Sequence, residues 1–123
     1  DALSSSTTCK DKDGSIIKSQ TIYQGNEGEE KAQKTYNYNF DGTSIATTTT
    51  FSYNLAGALT DSVTIRGKDS GTTKSETTYT GNEGEEQAQF TYNFNYAGDA
   101  INTLTSSTYT NDALTGSVTN NGL

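Results

Sequence analysis

The residues best suited to chemistry are carboxylates, and most of them occur in two copies of one short turn. The hexapeptide GNEGEE occupies residues 25–30 and again 81–86, and it holds six of the seven Glu residues in the chain. Clustered carboxylates and backbone carbonyls are the ligands that Ca²⁺ prefers. The candidate cation or contact residues in these turns are Asn26, Glu27, Glu29, Glu30, Asn82, Glu83, Glu85 and Glu86.

Three interpretations of the acidic turns stay open. They can be solvated turns that keep a surface rich in Thr and Tyr soluble, or calcium sites, or electrostatic contacts with Lys18, Lys31 or Lys34 of a neighbouring unit. Their spacing is neither that of an EF-hand nor that of the calcium-binding nonapeptide repeat. We therefore expect no cofactor, with calcium as the alternative.

A second candidate metal loop is the D-x-D-G segment that contains Asp11 and Asp13. An EF-hand loop starting at Asp11 needs a Glu at its twelfth position, which is Ile22 in this chain. Asp and Gly at this spacing are also typical of a reverse turn. The segment favours a β-turn, and no metal ligand is assigned here.

The composition lacks the residue combinations that the common forms of nucleophilic catalysis require. The chain has no His and a single Cys, Cys9, which excludes Ser-His-Asp and Cys-His catalysis and His-rich zinc sites. A glycosidase needs two carboxylates, one with a pKa raised in an apolar cleft, whereas the Gly-rich acidic turns predict exposure. We expect no enzymatic activity. Cys9 is either a small structural thiol or a covalent link between subunits.

The net charge and the hydropathy limit the kinds of partner that the chain can bind. The net charge is −7, so nucleic acids and anionic membranes are not attracted, and no apolar run is long enough to predict membrane insertion. Leu, Ile, Val and Phe number only 18 of 123 residues, which by itself is typical of disorder. Eight Tyr and abundant β-branched Thr offset this and favour strands.

The chain contains a long internal repeat. KDGSIIKSQTIYQGNEGEE begins at Lys12, and KDSGTTKSETTYTGNEGEE begins 56 residues later at Lys68. This divides the chain into β-repeat units at 12–67 and 68–123. Residues 1–11, DALSSSTTCKD, match DALTGSVTNNG at 112–122 and so form a partial repeat, the closing strand of a unit.

Each unit alternates with a period of two. The first aromatic ladder sets Tyr36, Tyr38 and Phe40 against Thr35, Asn37 and Asn39, and Gly- or Asp-containing turns separate such runs. We predict an all-β fold of tandem antiparallel β-repeat units with about four strands each. Because one unit cannot bury both faces alone, the units are expected to stack as a sandwich or a solenoid-like array.

One turn motif suggests a family. The segment YNLAGALT at 53–60 resembles the Y-D-x-x-G-x-L-T core of YD-type (Rhs-like) extracellular bacterial β-repeats, and 38–45 and 94–101 are looser matches. Asn54 stands where the family has Asp. The resemblance implies antiparallel hairpins used as a structural shell or fibre, located outside the cell or at its surface.

The partial repeat supplies the functional hypothesis. A closing strand at one end exposes unpaired backbone groups, and proteins either blunt such an edge or use it. We predict a structural subunit of an extracellular filament that assembles head-to-tail with itself by β-strand addition. The alternative is an adhesin or carbohydrate-binding segment of a larger surface protein, with a glycan as partner. The candidate assembly residues are Leu3, Ser5, Thr7, Cys9, Leu114 and Val118.

Overall fold

A computed structural model describes residues 4–121, and within this range the fold is all-β, as predicted. Nine antiparallel strands form one open sheet, in sequence order and without crossovers, and these residues contain no helix. The strands are β1 (Ser5–Cys9), β2 (Ile17–Gln24), β3 (Lys31–Tyr38), β4 (Ile45–Tyr53), β5 (Leu59–Arg66), β6 (Thr73–Thr80), β7 (Gln87–Phe94), β8 (Ile101–Thr110) and β9 (Ala113–Asn121).

Three hairpin turns share one hydrogen-bond pattern. In each turn a Gly N–H donates to the carbonyl oxygen of an Asn three residues earlier, at 2.9–3.0 Å. The bonded pairs are Gly42 with Asn39, Gly57 with Asn54 and Gly98 with Asn95. The Asn side chain then accepts the N–H one residue further on, as Asn54 Oδ1 does from Ala58 at 2.9 Å. The Asn side chain thus accepts a hydrogen bond from a backbone N–H of its own turn and stabilises that turn.

The last hairpin has a different turn. Asn111 and Asp112 both have positive φ, 53° and 66°, and they lie between the paired residues Thr110 and Ala113. This is the type I′ geometry, in which Asn and Asp tolerate the left-handed region. The turn pairs Thr110 with Ala113, and the β8–β9 register then shifts once, between Thr108 and Tyr109.

Strand pairings recur with the sequence repeat. Raising each residue number of the β2–β3 register by 56 gives the β6–β7 register, so that Ile22 opposite Lys34 becomes Thr78 opposite Phe90. Both registers slip at the same point, after Ile22 and after Thr78. The repeated letters therefore encode repeated pairings, including the irregular ones.

The chain divides into two compact units. The first comprises the described residues up to Phe51 together with Ile65–Gly71, and the second comprises Ser52–Thr64 together with the described residues from Thr72. In each unit one sheet face, here called the hydroxyl face, carries cross-strand Thr pairs. Their Oγ1 atoms are 3.0 Å apart for Thr21 and Thr35 and 3.1 Å apart for Thr77 and Thr91.

Residues on the other face of each unit form an aromatic face. It carries Tyr36 and Tyr38 in the first unit and Phe90, Tyr92 and Phe94 in the second. These five side chains are only half-buried. The expected sandwich or solenoid-like stacking is not part of this sheet.

The sheet has almost no core. Of residues 4–121 only Thr48, Ala58 and Ser62 are buried, and none of them is a large apolar residue. A compact domain normally buries contiguous aliphatic and aromatic side chains. Within the described residues, cross-strand pairs and backbone hydrogen bonds carry most of the order. No helix in this part of the chain has the length and hydropathy of a membrane span.

Candidate functional site

The candidate site consists of the two edge strands of the sheet, β1 and β9. At the two ends of β1, Ser4 O accepts a hydrogen bond from Tyr23 N–H and Lys10 N–H donates one to Ile16 O, each at 2.9 Å. Backbone groups alternate in direction along a strand, so those of Ser5, Thr7 and Cys9 point away from β2. Within residues 4–121, the backbone donors and acceptors of these three residues have no neighbouring strand at this edge.

Strand β9 forms the opposite edge. All nine residues, ALTGSVTNN, are exposed, and none is charged or a proline. Leu114 and Val118 expose 61% and 59% of their surface. Natural edge strands are commonly protected by Lys, Pro, bulges or shortening, because an open strand templates further pairing. The outer edge of β9 carries neither Lys nor Pro.

The predicted assembly residues divide between these two strands. Ser5, Thr7 and Cys9 lie in β1, and Leu114 and Val118 lie in β9, whereas Leu3 lies outside the described residues. Cys9 is a half-buried free thiol opposite Ile17, and a Cβ placed on Gly14 would contact its sulfur at 3.9 Å. The thiol therefore packs under the β1–β2 turn.

The two acidic turns have the same internal geometry. Glu29 N–H donates to Asn26 O at 2.8 Å and Glu85 N–H donates to Asn82 O at 2.9 Å. Glu30 accepts from Gly28 N–H at 3.1 Å. In the second turn Glu86 accepts both from Gly84 N–H at 3.0 Å and from Leu59 N–H at 2.9 Å, using different oxygens. Two of the carboxylates thus cap backbone donors.

The remaining predicted turn residues, Glu27 and Glu83, lie on exposed turn tips. Beside the second turn is a shallow, open depression of about 300 Å³, lined by Glu85, Glu86, Gln87 and Asp112. Across residues 4–121 no group of three or more His, Cys, Asp or Glu side chains is placed to hold a metal ion. The backbone hydrogen bonds of Glu29 and Glu85 make both segments reverse turns.

Asp11 closes the β1–β2 turn. Its carboxylate accepts from Ser15 N–H at 3.0 Å and from Ile16 N–H at 3.2 Å, and it also accepts from the Ser15 hydroxyl. The bond from the Ser15 hydroxyl is the main reason that the pKa of Asp11 lies below its usual value. Asp13 is exposed at the tip of the turn. The carboxylate of Asp11 is already occupied by turn donors.

A polar cluster that the sequence did not predict lies on the first unit. The Asp69 carboxylate binds Lys34 Nζ at 2.8 Å and accepts from the Tyr36 hydroxyl at 2.9 Å. The Lys34 bond, followed by the Tyr36 bond, lowers the pKa of Asp69, and the contact with Asp69 raises the pKa of Lys34 and of Tyr36. The Lys34–Asp69 pair is charged at neutral pH and solvated, with side chains 35% and 44% exposed, so it contributes little stability.

Thr48 anchors the loop that carries Asp69. Its hydroxyl donates to Gly67 O at 2.7 Å and accepts from Asp69 N–H at 3.2 Å, although the side chain is only 1% exposed. Asp69 has a φ of 63°, which Asp tolerates better than most residues. The sequence signal for this loop was its two flanking glycines, Gly67 and Gly71. Nothing local indicated that it folds back onto β4.

Comparison with known proteins adds no functional label. No protein-family model matches the chain, and no curated protein is similar to it.

Proposed function

We propose that this protein is a structural subunit of an extracellular fibre, built from tandem β-repeat units 12–67 and 68–123. The subunits assemble head-to-tail with copies of themselves by β-strand addition at the β1 and β9 ends of the sheet. The subunit needs no cofactor and carries out no reaction. This assignment accounts for a chain that is rich in strands and has no His and a single Cys.

The observation that carries the proposal is the open edge of β9. Its nine residues are exposed and uncharged, and the strand borders the sheet. Strand addition gains affinity from main-chain hydrogen bonds and specificity from alternate side chains. A sheet with few buried side chains gains most from pairing its edges, because its stability comes from neighbouring strands. Head-to-tail contacts that do not close into a ring produce filaments.

The direct test is a proline at the outer edge of β9. The pairing of Thr110 with Ala113 and the register shift beside Thr108 orient the Thr119 N–H away from β8. The substitution Thr119→Pro therefore removes an outward donor and leaves the β8–β9 ladder intact. We expect the proline variant to reduce the assembled fraction at least about tenfold in sedimentation velocity, because the open edge of β9 can no longer pair fully with a strand of another copy.

The control is Thr119→Val, which keeps the N–H group and the β-branched shape. This variant should assemble like the parent chain, and both variants should keep the parent's strand signal in circular dichroism. Equal assembly of Thr119→Pro and the parent would contradict strand addition at β9.

One observation favours the alternative, a carbohydrate-binding or adhesive repeat segment of a larger surface protein. Phe40 and Tyr96 occupy matching turn positions 56 residues apart and are 88% and 82% exposed. Exposed aromatic rings are suited to stacking on sugar faces. Under this alternative the parent chain stays monomeric at all concentrations, and a lower melting temperature in chelator would add calcium to it.

A further inference from the structure

Three strands of this sheet share one sequence pattern. The segment around β1, DALSSSTTC at 1–9, matches DALTGSVTN at 112–120 around β9 without a gap, and GALTDSVTI at 57–65 around β5 has the same pattern. β5 lies between β4 and β6 in the strand order. A strand of this type therefore has two natural neighbours. At the edges of the sheet formed by residues 4–121, β1 has a neighbour only on its β2 side and β9 only on its β8 side.

A side-chain contact identifies one of the two neighbours, here called the β2-type neighbour: it is β2 beside β1 and β6 beside β5. Ser6 on β1 is 3.3 Å from the Tyr23 hydroxyl on β2, and Ser62 on β5 is 3.1 Å from the Tyr79 hydroxyl on β6. Ser117 is the matching serine of β9, 111 residues after Ser6. β9 thus carries the serine of this contact on a strand that has no β2-type neighbour in the described sheet.

Strand direction constrains how two copies can join. Directions alternate in an antiparallel meander, so the first and the ninth strands run the same way. Placing β9 of one copy directly beside β1 of a translated copy would make a parallel pair in an otherwise antiparallel sheet. Placing β9 beside β2 instead gives an antiparallel pair and continues the order of strand types that β4, β5 and β6 already have.

We propose that β9 of one copy pairs with β2 of the next copy in the place of that copy's own β1. This rests on the proposed function and specifies its junction. The β1–β2 register then transfers by the sequence match: Ser117 lies opposite Thr21, Val118 opposite Gln20 and Thr119 opposite Ser19. Ser117 meets Tyr23 as Ser6 does. The occupant of the β9 edge is a second copy of this chain.

Exchange is favoured by the difference between the two strands. β1 is a five-residue strand, whereas β9 is nine residues long. The incoming strand replaces lost hydrogen bonds with equivalent ones, so the exchange has a low cost, as in domain swapping. Val118 takes the place of Thr7 opposite Gln20, which adds an apolar β-branched side chain at that position.

A pair of cysteines tests the register. The backbone groups of Ser6 and Thr8 are the ones that hydrogen-bond to β2, so Thr7 and Gln20 form a non-hydrogen-bonded pair. The Cα atoms of such a pair have the close spacing that a disulfide needs. The chain carrying V118C and Q20C on a Cys9→Ser background is assembled and oxidised with oxidised glutathione, which takes up the two electrons released by the thiols. Non-reducing electrophoresis should show ladders of disulfide-linked multimers.

Two control pairs on the same background separate the outcomes. T119C with Q20C places the thiols on opposite faces and should give at least about tenfold fewer multimers. T7C with V118C places one cysteine on β1 and the other on β9, so it tests direct pairing of these two strands. If this pair gave multimers and V118C with Q20C gave none, the exchange would be overturned. If the parent sediments as assemblies but V118C with Q20C stays uncrosslinked, the exchange fails and the fibre proposal stands. A parent chain that is monomeric at every concentration overturns both.

Discussion

Replacing Gly71 with Ala should unfold the first unit at temperatures at which the parent chain is intact. A Cβ on Gly71 would overlap the carbonyl oxygen of Arg66 and lie 2.9 Å from its carbonyl carbon. Backbone atoms cannot yield as a flexible side chain does, so the loop 67–71 must move. We expect a loss of at least about 3 kcal/mol, and a melting temperature lower by about 10 °C or more in circular dichroism.

The effect should exceed the local clash because the loop contributes contacts to two strands. Gly67 N–H donates to Ala46 O at 2.8 Å, and Thr48 holds Gly67 O. Asp69 reaches Lys34 and Tyr36 on β3. Moving the loop breaks these bonds together.

The matched control is Gly28→Ala in the first acidic turn. Gly28 also has a positive φ, 83°, but no atom lies within 4 Å of the added Cβ. Its expected cost is the left-handed strain alone, about 1 kcal/mol. If the two variants melted at the same temperature, the packing of loop 67–71 against Arg66 would be refuted.

The second large effect is expected for Thr48→Val. This near-isosteric change removes a hydroxyl that donates to Gly67 O and accepts from Asp69 N–H in the most buried side chain of the described residues. The two backbone groups then lose their partner. Both hydrogen bonds are part-buried. Removing one partner from such bonds costs about 1–3 kcal/mol, and urea unfolding at low protein concentration measures this loss.

Thr78→Val is the counterpart with the opposite expectation. Thr78 Oγ1 is buried and has no hydrogen-bond partner among the described residues. Removing an unpaired buried hydroxyl should leave stability unchanged or raise it by up to about 1 kcal/mol. Both residues are strand threonines, so β-propensity is the same in the two substitutions. A Thr48→Val chain as stable as Thr78→Val would contradict the anchoring role of Thr48.

The sequence predicted the strands well because alternation and turn chemistry are local. Tyr36 and Tyr38 of the first aromatic ladder fall within β3, and the turns that contain Gly42, Gly57 and Gly98 lie in the segments 38–45, 53–60 and 94–101. The ladder ends were less accurate. Phe40 and Tyr96 continue the alternation but lie beyond β3 and β7, and both are highly exposed.

The alternation of residues did not predict the contacts between distant parts of the chain. Alternation states which residues share a face, and it does not state whether a second layer covers that face. Stacked units were expected to cover the faces of each unit, whereas Tyr36 and Phe90 are half-buried in the described sheet. The contact of Asp69 with Lys34 and Tyr36 joins residues more than 30 positions apart, and the repeat gave no hint of it because Phe90 replaces Lys34 in the second copy.

Hydrogen–deuterium exchange at β9, followed by NMR or mass spectrometry as the protein concentration rises, measures the use of this edge most directly. The Ser117 and Thr119 amides point outward in the isolated sheet and should exchange quickly in dilute solution. In assembled material both should slow at least about a hundredfold, while the Val118 amide, which faces β8, changes little. Rapid exchange of both outward amides at every concentration, with the mass constant at 13.1 kDa, would show that β9 is not an assembly edge.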